Sequence, residues 1–262
     1  MNRGDGPLSV EEHNRRAWTQ RVREKDVWTL PVSAEEVAAA RRGQWSVLLT
    51  PLRPVPREWF GELEGKRVLA LASGGGQQGP ILAAAGAQVT VVDVTPAQLA
   101  QDAFVAARDG LDIELIACPM DDLSDIADES FDLVFHPVAN LFVEDCRLVW
   151  AECHRVLRRG GTLLAGFANP LLFLIDEDIA PGQNLVIRHP LPYSDLLART
   201  DEERAERLER GEPLEFGHTL EDQIAGQLEV GFQITGFFED RGAKHPIDDF
   251  AATFLATRAV KT

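Results

Sequence analysis

From Arg67 to about Asn169, short apolar runs alternate with amphipathic stretches. The runs at 68–73, 89–93, 113–118, 131–136 and 162–167 are apolar on both faces, which predicts parallel strands covered on both sides by helices. Between them lies a small-residue helix over 80–85, and Thr95-Pro96-Ala97-Gln98 supplies an N-cap, a proline at the first helical position and a capping-box glutamine for a helix through Arg108. An amphipathic helix is predicted over 144–158, with basic residues in its last turn and Gly160-Gly161 as its stop.

The pattern changes on both flanks. Residues 10–27 read as a polar helix carrying Trp18, with Trp28 just beyond, and Ser33-Ala34-Glu35-Glu36 is a capping box that opens a helix over 37–42. Pro51, Pro54 and Pro56 then predict an extended connector. These first sixty residues read as a peripheral helical cap, 1–60, on a domain spanning 61–262. After Pro170 the alternation lapses over about 170–218, which is long for a plain loop and holds a charged helix over 201–210; a substrate-facing insertion is expected there. A helix over 219–229 and two closing strands, 232–239 and 253–259, complete the chain.

Composition adds exclusions. With 262 residues and 45% apolar content, the core is ample. No apolar stretch reaches the 18 or so residues of a membrane span, and Met1-Asn2-Arg3-Gly4-Asp5-Gly6-Pro7 lacks the apolar segment of a signal peptide, so a cytoplasmic protein is expected. The three cysteines, Cys118, Cys146 and Cys153, have no metal-type spacing and read as small hydrophobes; no metal site is expected. The net charge of −16 resides in the core: residues 1–66 carry 11 basic and 10 acidic side chains, residues 67–262 carry 15 and 32. Nucleic acid, which demands a basic stripe, and membrane are therefore not expected as partners.

The candidate chemistry sits where the first strand ends. Gly74-Gly75-Gly76-Gln77-Gln78-Gly79 follows an apolar run, and Asp93 closes the next one. Glycines let the backbone turn tightly and approach a ligand, and a carboxylate at the second strand end can accept from two ribose hydroxyls, so a nucleoside cofactor is expected. The Gly74-x-Gly76-x-x-Gly79 spacing fits a dinucleotide as well as S-adenosylmethionine. Against a short-chain dehydrogenase, the only tyrosine, Tyr193, is followed four residues later by Leu197 where that chemistry needs a lysine.

The order Val68–Gly76, Asp93, Met120-Asp121-Asp122-Leu123, Ser130–Val134 and Leu157–Leu163 resembles the class I S-adenosylmethionine-dependent methyltransferases, in particular the small-molecule, ubiquinone-biosynthesis-like group. The resemblance implies an α/β, Rossmann-like seven-stranded, mostly parallel sheet with helices on both faces and an antiparallel last strand. It implies methyl transfer from S-adenosylmethionine to a small-molecule acceptor by in-line displacement, leaving S-adenosylhomocysteine, in a monomer or homodimer. Cofactor contacts would come from Ser73, Gly74, Gly75, Gly76, Gln78, Asp93, Val94, Gln98, Met120, Asp121 or Asp122, and His136. Backbone amides at 73–76 and the following helix N-terminus would favour the methionine carboxylate. His136 is the candidate general base, since an imidazole ordinarily titrates near neutrality, and Trp18, Asn140, Tyr193 and His218 are candidate substrate contacts. One departure stands out: Ala70 replaces the family's motif acid and Ala72 its first glycine, so the methionine ammonium lacks an expected carboxylate, which a group near Asn14 or Trp18 could replace. The alternatives are an NAD(P)-dependent oxidoreductase and a non-catalytic S-adenosylmethionine-binding protein.

Overall fold

The structure, a computed structural model, describes residues 8–176, 184–242 and 245–262. Residues 1–7, on which the expectation of no signal peptide rests, and 177–183 of the expected insertion lie outside the described residues. Two helices, α1 (Val10–Glu24) and α2 (Ala34–Arg41), come first. Ser9 caps α1, and the Ser33–Glu36 capping box on α2 is formed. The alternating core follows as β1 (Arg67–Leu71), α3 (Gln78–Ala84), β2 (Gln88–Val92), α4 (Pro96–Asp109), β3 (Ile113–Ile116), β4 (Phe131–His136), α5 (Cys146–Val156) and β5 (Leu157–Ala168). A two-stranded pair, β6 (Tyr193–Ser194) and β7 (Phe216–Gly217), brackets α6 (Asp195–Ala198) and α7 (Asp201–Glu209). After it come α8 (Gly226–Glu229), β8 (Phe232–Asp240) and β9 (Phe254–Lys261).

Seven strands form one sheet in the order β3-β2-β1-β4-β5-β9-β8. The first five are parallel, and β9 enters antiparallel between β5 and β8. Strand order reverses between β1 and β4, and such a switch point opens a crevice beyond the strands' C-terminal ends. Alternate residues of β1 serve opposite faces: Val68 and Ala70 join one buried cluster with Leu82 and Val105, while Leu69 and Leu71 join another with Trp150 and Cys153.

Two expectations are corrected. The helix predicted over 144–158 ends at Val156, and β5 begins at the next residue, passing through Gly160 and Gly161. Phe131 pairs with Leu157 but Leu133 with Thr162, so a bulge absorbs 158–161, and Gly160, at φ +76°, supplies its left-handed residue. The chain before β1 is also less peripheral than expected. Val37, Ala40, Val47, Leu49, Val55 and Phe60 are buried in the same cluster as Val68. The reason is the shortness of α3, seven small-residue-rich positions that leave sheet surface uncovered; Phe60 stacks on Phe135 at 6.2 Å and Trp45 meets Phe60 edge-on.

Candidate active site

The crevice is a cavity of about 540 Å³, within the range of small-molecule sites. Its floor is the β1–α3 turn and the residues after β2 and β3. Ala72 holds φ +47°, a left-handed conformation in which its amide donates to Val92 O at 2.7 Å. Gly75, at φ +105°, cannot take a side chain cheaply, because a Cβ there would sit 3.1 Å from Trp28 O and 3.2 Å from Gln98 Oε1.

Asp93 ties the floor together. Its Oδ2 accepts from Gly74 N at 3.2 Å and its Oδ1 from Thr95 N at 2.8 Å. An ionised carboxylate has about four acceptor positions, more than the donors that Gly74 and Thr95 supply, so Asp93 keeps capacity for a further donor. Burial pushes its carboxyl up to about 6 while those amides pull it down. The expected capping-box bond from Gln98 is absent: Thr95 caps α4 without a side-chain bond, and Gln98 turns into the cavity wall with Oε1 buried and unpartnered. Ser73 Oγ is likewise buried in that wall without a partner. Val94, Met120 and Asp121 complete this side.

The roof comes from distant parts of the chain. Trp18 and Asn14 of α1, Leu141 and Phe142 after β4, Leu172, Glu215 and Phe254 all face the cavity. Asn14 is a strut: its Nδ2 donates to Phe142 O at 3.0 Å and Leu214 O at 3.1 Å, and its Oδ1 accepts from Leu214 N at 2.7 Å. Further along α1, Arg21 Nε donates to Gly211 O at 2.9 Å with its guanidinium over Trp18, which meets Phe142 edge-on at 5.4 Å. The link from α1 to α2 is pinned on the glycine turn by Gln77 Nε2, which donates to Val27 O and Leu30 O at 2.9 Å, and by Val32 N donating to Gly76 O at 2.9 Å.

Of the sequence-predicted residues, Ser73, Gly74, Gln78, Asp93, Val94, Gln98, Met120, Asp121 and Trp18 line the cavity. Gly75 and Gly76 shape the turn from behind it. The Asp121/Asp122 alternative separates by place: Asp122 points away, its Oδ1 accepting from Ser124 N at 3.1 Å. His136 is not brought to the cavity. It is fully buried, its Nδ1 donates to Leu71 O at 3.1 Å, its ring packs on Trp150 at 5.9 Å, and burial pulls it down to about 4. Asn140 is buried beneath the roof, donating to Gln223 Oε1 at 2.6 Å, and its carbonyl takes the His218 ring nitrogen at 3.0 Å. Tyr193 faces a second cavity of about 220 Å³, where its hydroxyl donates to Asp195 Oδ1 at 2.7 Å. Leu172 and Glu215 stand in the walls of both cavities.

Two features escaped the sequence reading: the segment around Trp28 laid over the glycine turn, and Asp102. The latter had a signal, since Leu99, Asp102 and Val105 share the inward stripe of α4. A carboxylate on such a stripe calls for a partner, and Asp102 Oδ2 accepts from Gly75 N at 3.0 Å.

A family model described as a methyltransferase domain matches residues 69–165. The "Uncharacterized methyltransferase YbaJ" of Bacillus subtilis (strain 168) is 47% identical over 249 residues, covering 95% of this chain and 97% of that protein. The chain belongs to the S-adenosylmethionine-dependent methyltransferases. Solved structures share the fold. An S-adenosylmethionine-dependent methyltransferase of Mesorhizobium loti aligns with a TM-score of 0.63 at 21% identity, over 78% of this chain and 95% of that one. The 1,6-didemethyltoxoflavin-N1-methyltransferase of Burkholderia thailandensis, solved with its namesake compound and S-adenosylhomocysteine, aligns at 0.56 and 18% identity over 99% and 93%. Family membership resolves the nucleoside that the glycine spacing left open: the cofactor is S-adenosylmethionine. The floor fits it, with a carboxylate of spare acceptor capacity at the β2 end, two unpartnered buried polar side chains and a glycine turn too tight for side chains.

Proposed function

We propose that this methyltransferase acts on a small, largely apolar acceptor that is neutral or carries an amine, by in-line displacement at the sulfonium methyl. One observation carries the reading: a single cavity joins the cofactor floor to a roof of Trp18, Phe142, Leu141, Leu172 and Phe254. Its volume is in the range that accommodates small molecules. Among the described residues of the wall, the charged side chains are Glu11, Asp93, Asp121, Glu144 and Glu215 against Arg21, so an anionic acceptor meets repulsion.

When bound, S-adenosylmethionine supplies a methyl group already activated for transfer. The chain supplies position and dryness. Asp93 would hold the ribose hydroxyls, Val94 and Met120 would flank the adenine, and Asp121 would accept from its amine. The roof holds the acceptor opposite and excludes water from the reacting centre. The test is a panel of small acceptors assayed for S-adenosylhomocysteine release, matched in apolar body and differing in charge. Release with amine-bearing or neutral members and none with carboxylates supports the reading. Turnover confined to carboxylates, or to a protein or nucleic acid, overturns it.

A further inference from the structure

The floor holds more oxygen than the nucleoside uses. Around the glycine turn, Ser73 Oγ, Gln98 Oε1 and Asp102 Oδ1 are all buried and all without a hydrogen-bond partner. Gln98 and Asp102 converge on Gly75, and Ser73 stands two residues before it. Asp102 Oδ2 lies 3.0 Å from Gly75 N, Gln98 Oε1 lies 3.2 Å from where a Gly75 Cβ would be, and the Trp28 carbonyl oxygen lies 3.1 Å from that same point. Gln98 and Asp102, four residues apart, share one face of α4 and aim at the turn together. Two of these three orphans can only accept, the third is a hydroxyl that can, and a buried acceptor without a donor is costly.

Asp102 also brings charge. It is 0% exposed, and among the described residues no arginine, lysine or histidine bonds to it. Burial, with the nearby Asp93 adding to it, pushes its carboxyl up to about 7 against the pull of the Gly76 and Gly75 amides. Two buried carboxylates beside one turn create a place where a cation is stabilised by both. Position 70, on β1, holds an alanine inside the apolar cluster and supplies no charge.

We propose that Gln98 and Asp102 form the receptor for the cofactor's α-ammonium, Gln98 and Ser73 accepting from it at the cavity wall and Asp102 acting from behind Gly75 as a positioning residue that holds the turn and supplies the countercharge. An ammonium carries three N–H donors and one positive charge, which matches the unfilled acceptors and the uncompensated carboxylate. The assignment rests on S-adenosylmethionine as the cofactor. Helix α4 would then replace, from the second crossover, the acid that β1 lacks.

The test compares two probes by calorimetry at pH 8: S-adenosylhomocysteine, which has the amino-acid tail, and 5′-methylthioadenosine, which keeps the nucleoside and thioether but has no ammonium. Asp102→Asn is isosteric and still accepts from Gly75 N–H. It is expected to weaken S-adenosylhomocysteine at least tenfold while changing 5′-methylthioadenosine less than twofold. Gln98→Leu, which keeps the packing against Gly74, gives the same pattern if the Asp102 variant does not fold, as judged by thermal unfolding. Equal losses for both probes would make the pair a structural brace and overturn the proposal, as would no loss for either. Wild-type protein that binds neither probe would instead defeat the cofactor assignment itself.

Discussion

The floor and roof of the cavity are built on opposite plans. The floor joins residues close in sequence: Gly74 and Asp93 are 19 apart, Gly75 and Asp102 are 27 apart, and all stand at the ends of neighbouring parallel strands or on the helices between them. The roof joins residues about 200 apart, as in the bonds of Asn14 with Leu214. The floor keeps buried acceptors unpaired, whereas the roof strut Asn14 engages its amide on both sides. A surface that must receive a polar ligand carries unmet acceptors, and a surface that must hold shape pairs them internally. Substitutions on the two sides are therefore expected to separate cofactor affinity from acceptor handling.

The largest effect is expected on the floor. Asp93→Ala removes a carboxylate that faces the cavity and holds two amides, and should weaken S-adenosylhomocysteine by about 2–4 kcal/mol in calorimetry. Unchanged affinity would mean that Asp93 only closes the turn. On the roof, Asn14→Ala leaves the Leu214 amide and two carbonyls to find other partners, a destabilisation of about 1–3 kcal/mol in denaturant unfolding. Its kinetic signature should be a raised KM for the acceptor, with S-adenosylhomocysteine affinity within about twofold of wild type. Equal damage to both affinities would merge the two halves into one unit.

A smaller, graded effect follows from pH. Asp93 and Asp102 are raised to about 6 and about 7 in the folded protein, above the ordinary carboxylate value near 4. Between those limits the unfolded chain releases these protons first, so the folded state binds more protons and loses stability as pH rises. The contribution of these two carboxyls to the thermal midpoint of the ligand-free protein should fall from about pH 4 to about pH 7, against the rise that buried, neutral His136 contributes over part of that range, and Asp102→Asn should make the upper part of the net slope more positive. An identical slope in the variant would remove Asp102 from the account. The smallest effect belongs to Ala72. A left-handed alanine costs about 1–2 kcal/mol, and glycine relieves that at the expense of a more disordered unfolded chain. Ala72→Gly should leave stability within about 1 kcal/mol of wild type in denaturant unfolding and S-adenosylhomocysteine affinity unchanged.

The same contrast explains what could be read from the chain. Each buried strand has its own apolar run, and the glycine turn and Asp93 lie where those runs end, so the sheet and the floor were legible in local pattern. Asp102 was legible in principle, as a carboxylate on the inward stripe of α4. The roof was not. Tyr193, His218 and Asn140 have side chains suited to a substrate, but their places depend on pairings across the fold, and Tyr193 turns to Asp195 while His218 turns to the Asn140 carbonyl. His136 sits at the end of a central strand, where inward and cavity-facing positions are one residue apart, and pattern cannot choose between them. The bulge at 158–161 hid because two adjacent glycines look the same as a helix stop and as a strand irregularity.

Gly166 sets an order on how the chain assembles. A Cβ there would meet Leu49 O at 2.1 Å, so the segment before β1 lies flat across β5 at a point where only bare backbone fits. Leu49 precedes Gly166 by more than a hundred residues, so this crossing cannot form until β5 has been made and has paired with β4. Between the synthesis of Leu49 and that of β5, this part of the segment waits without its final neighbour. For a nascent protein this is the interval in which aggregation or chaperone capture competes with folding.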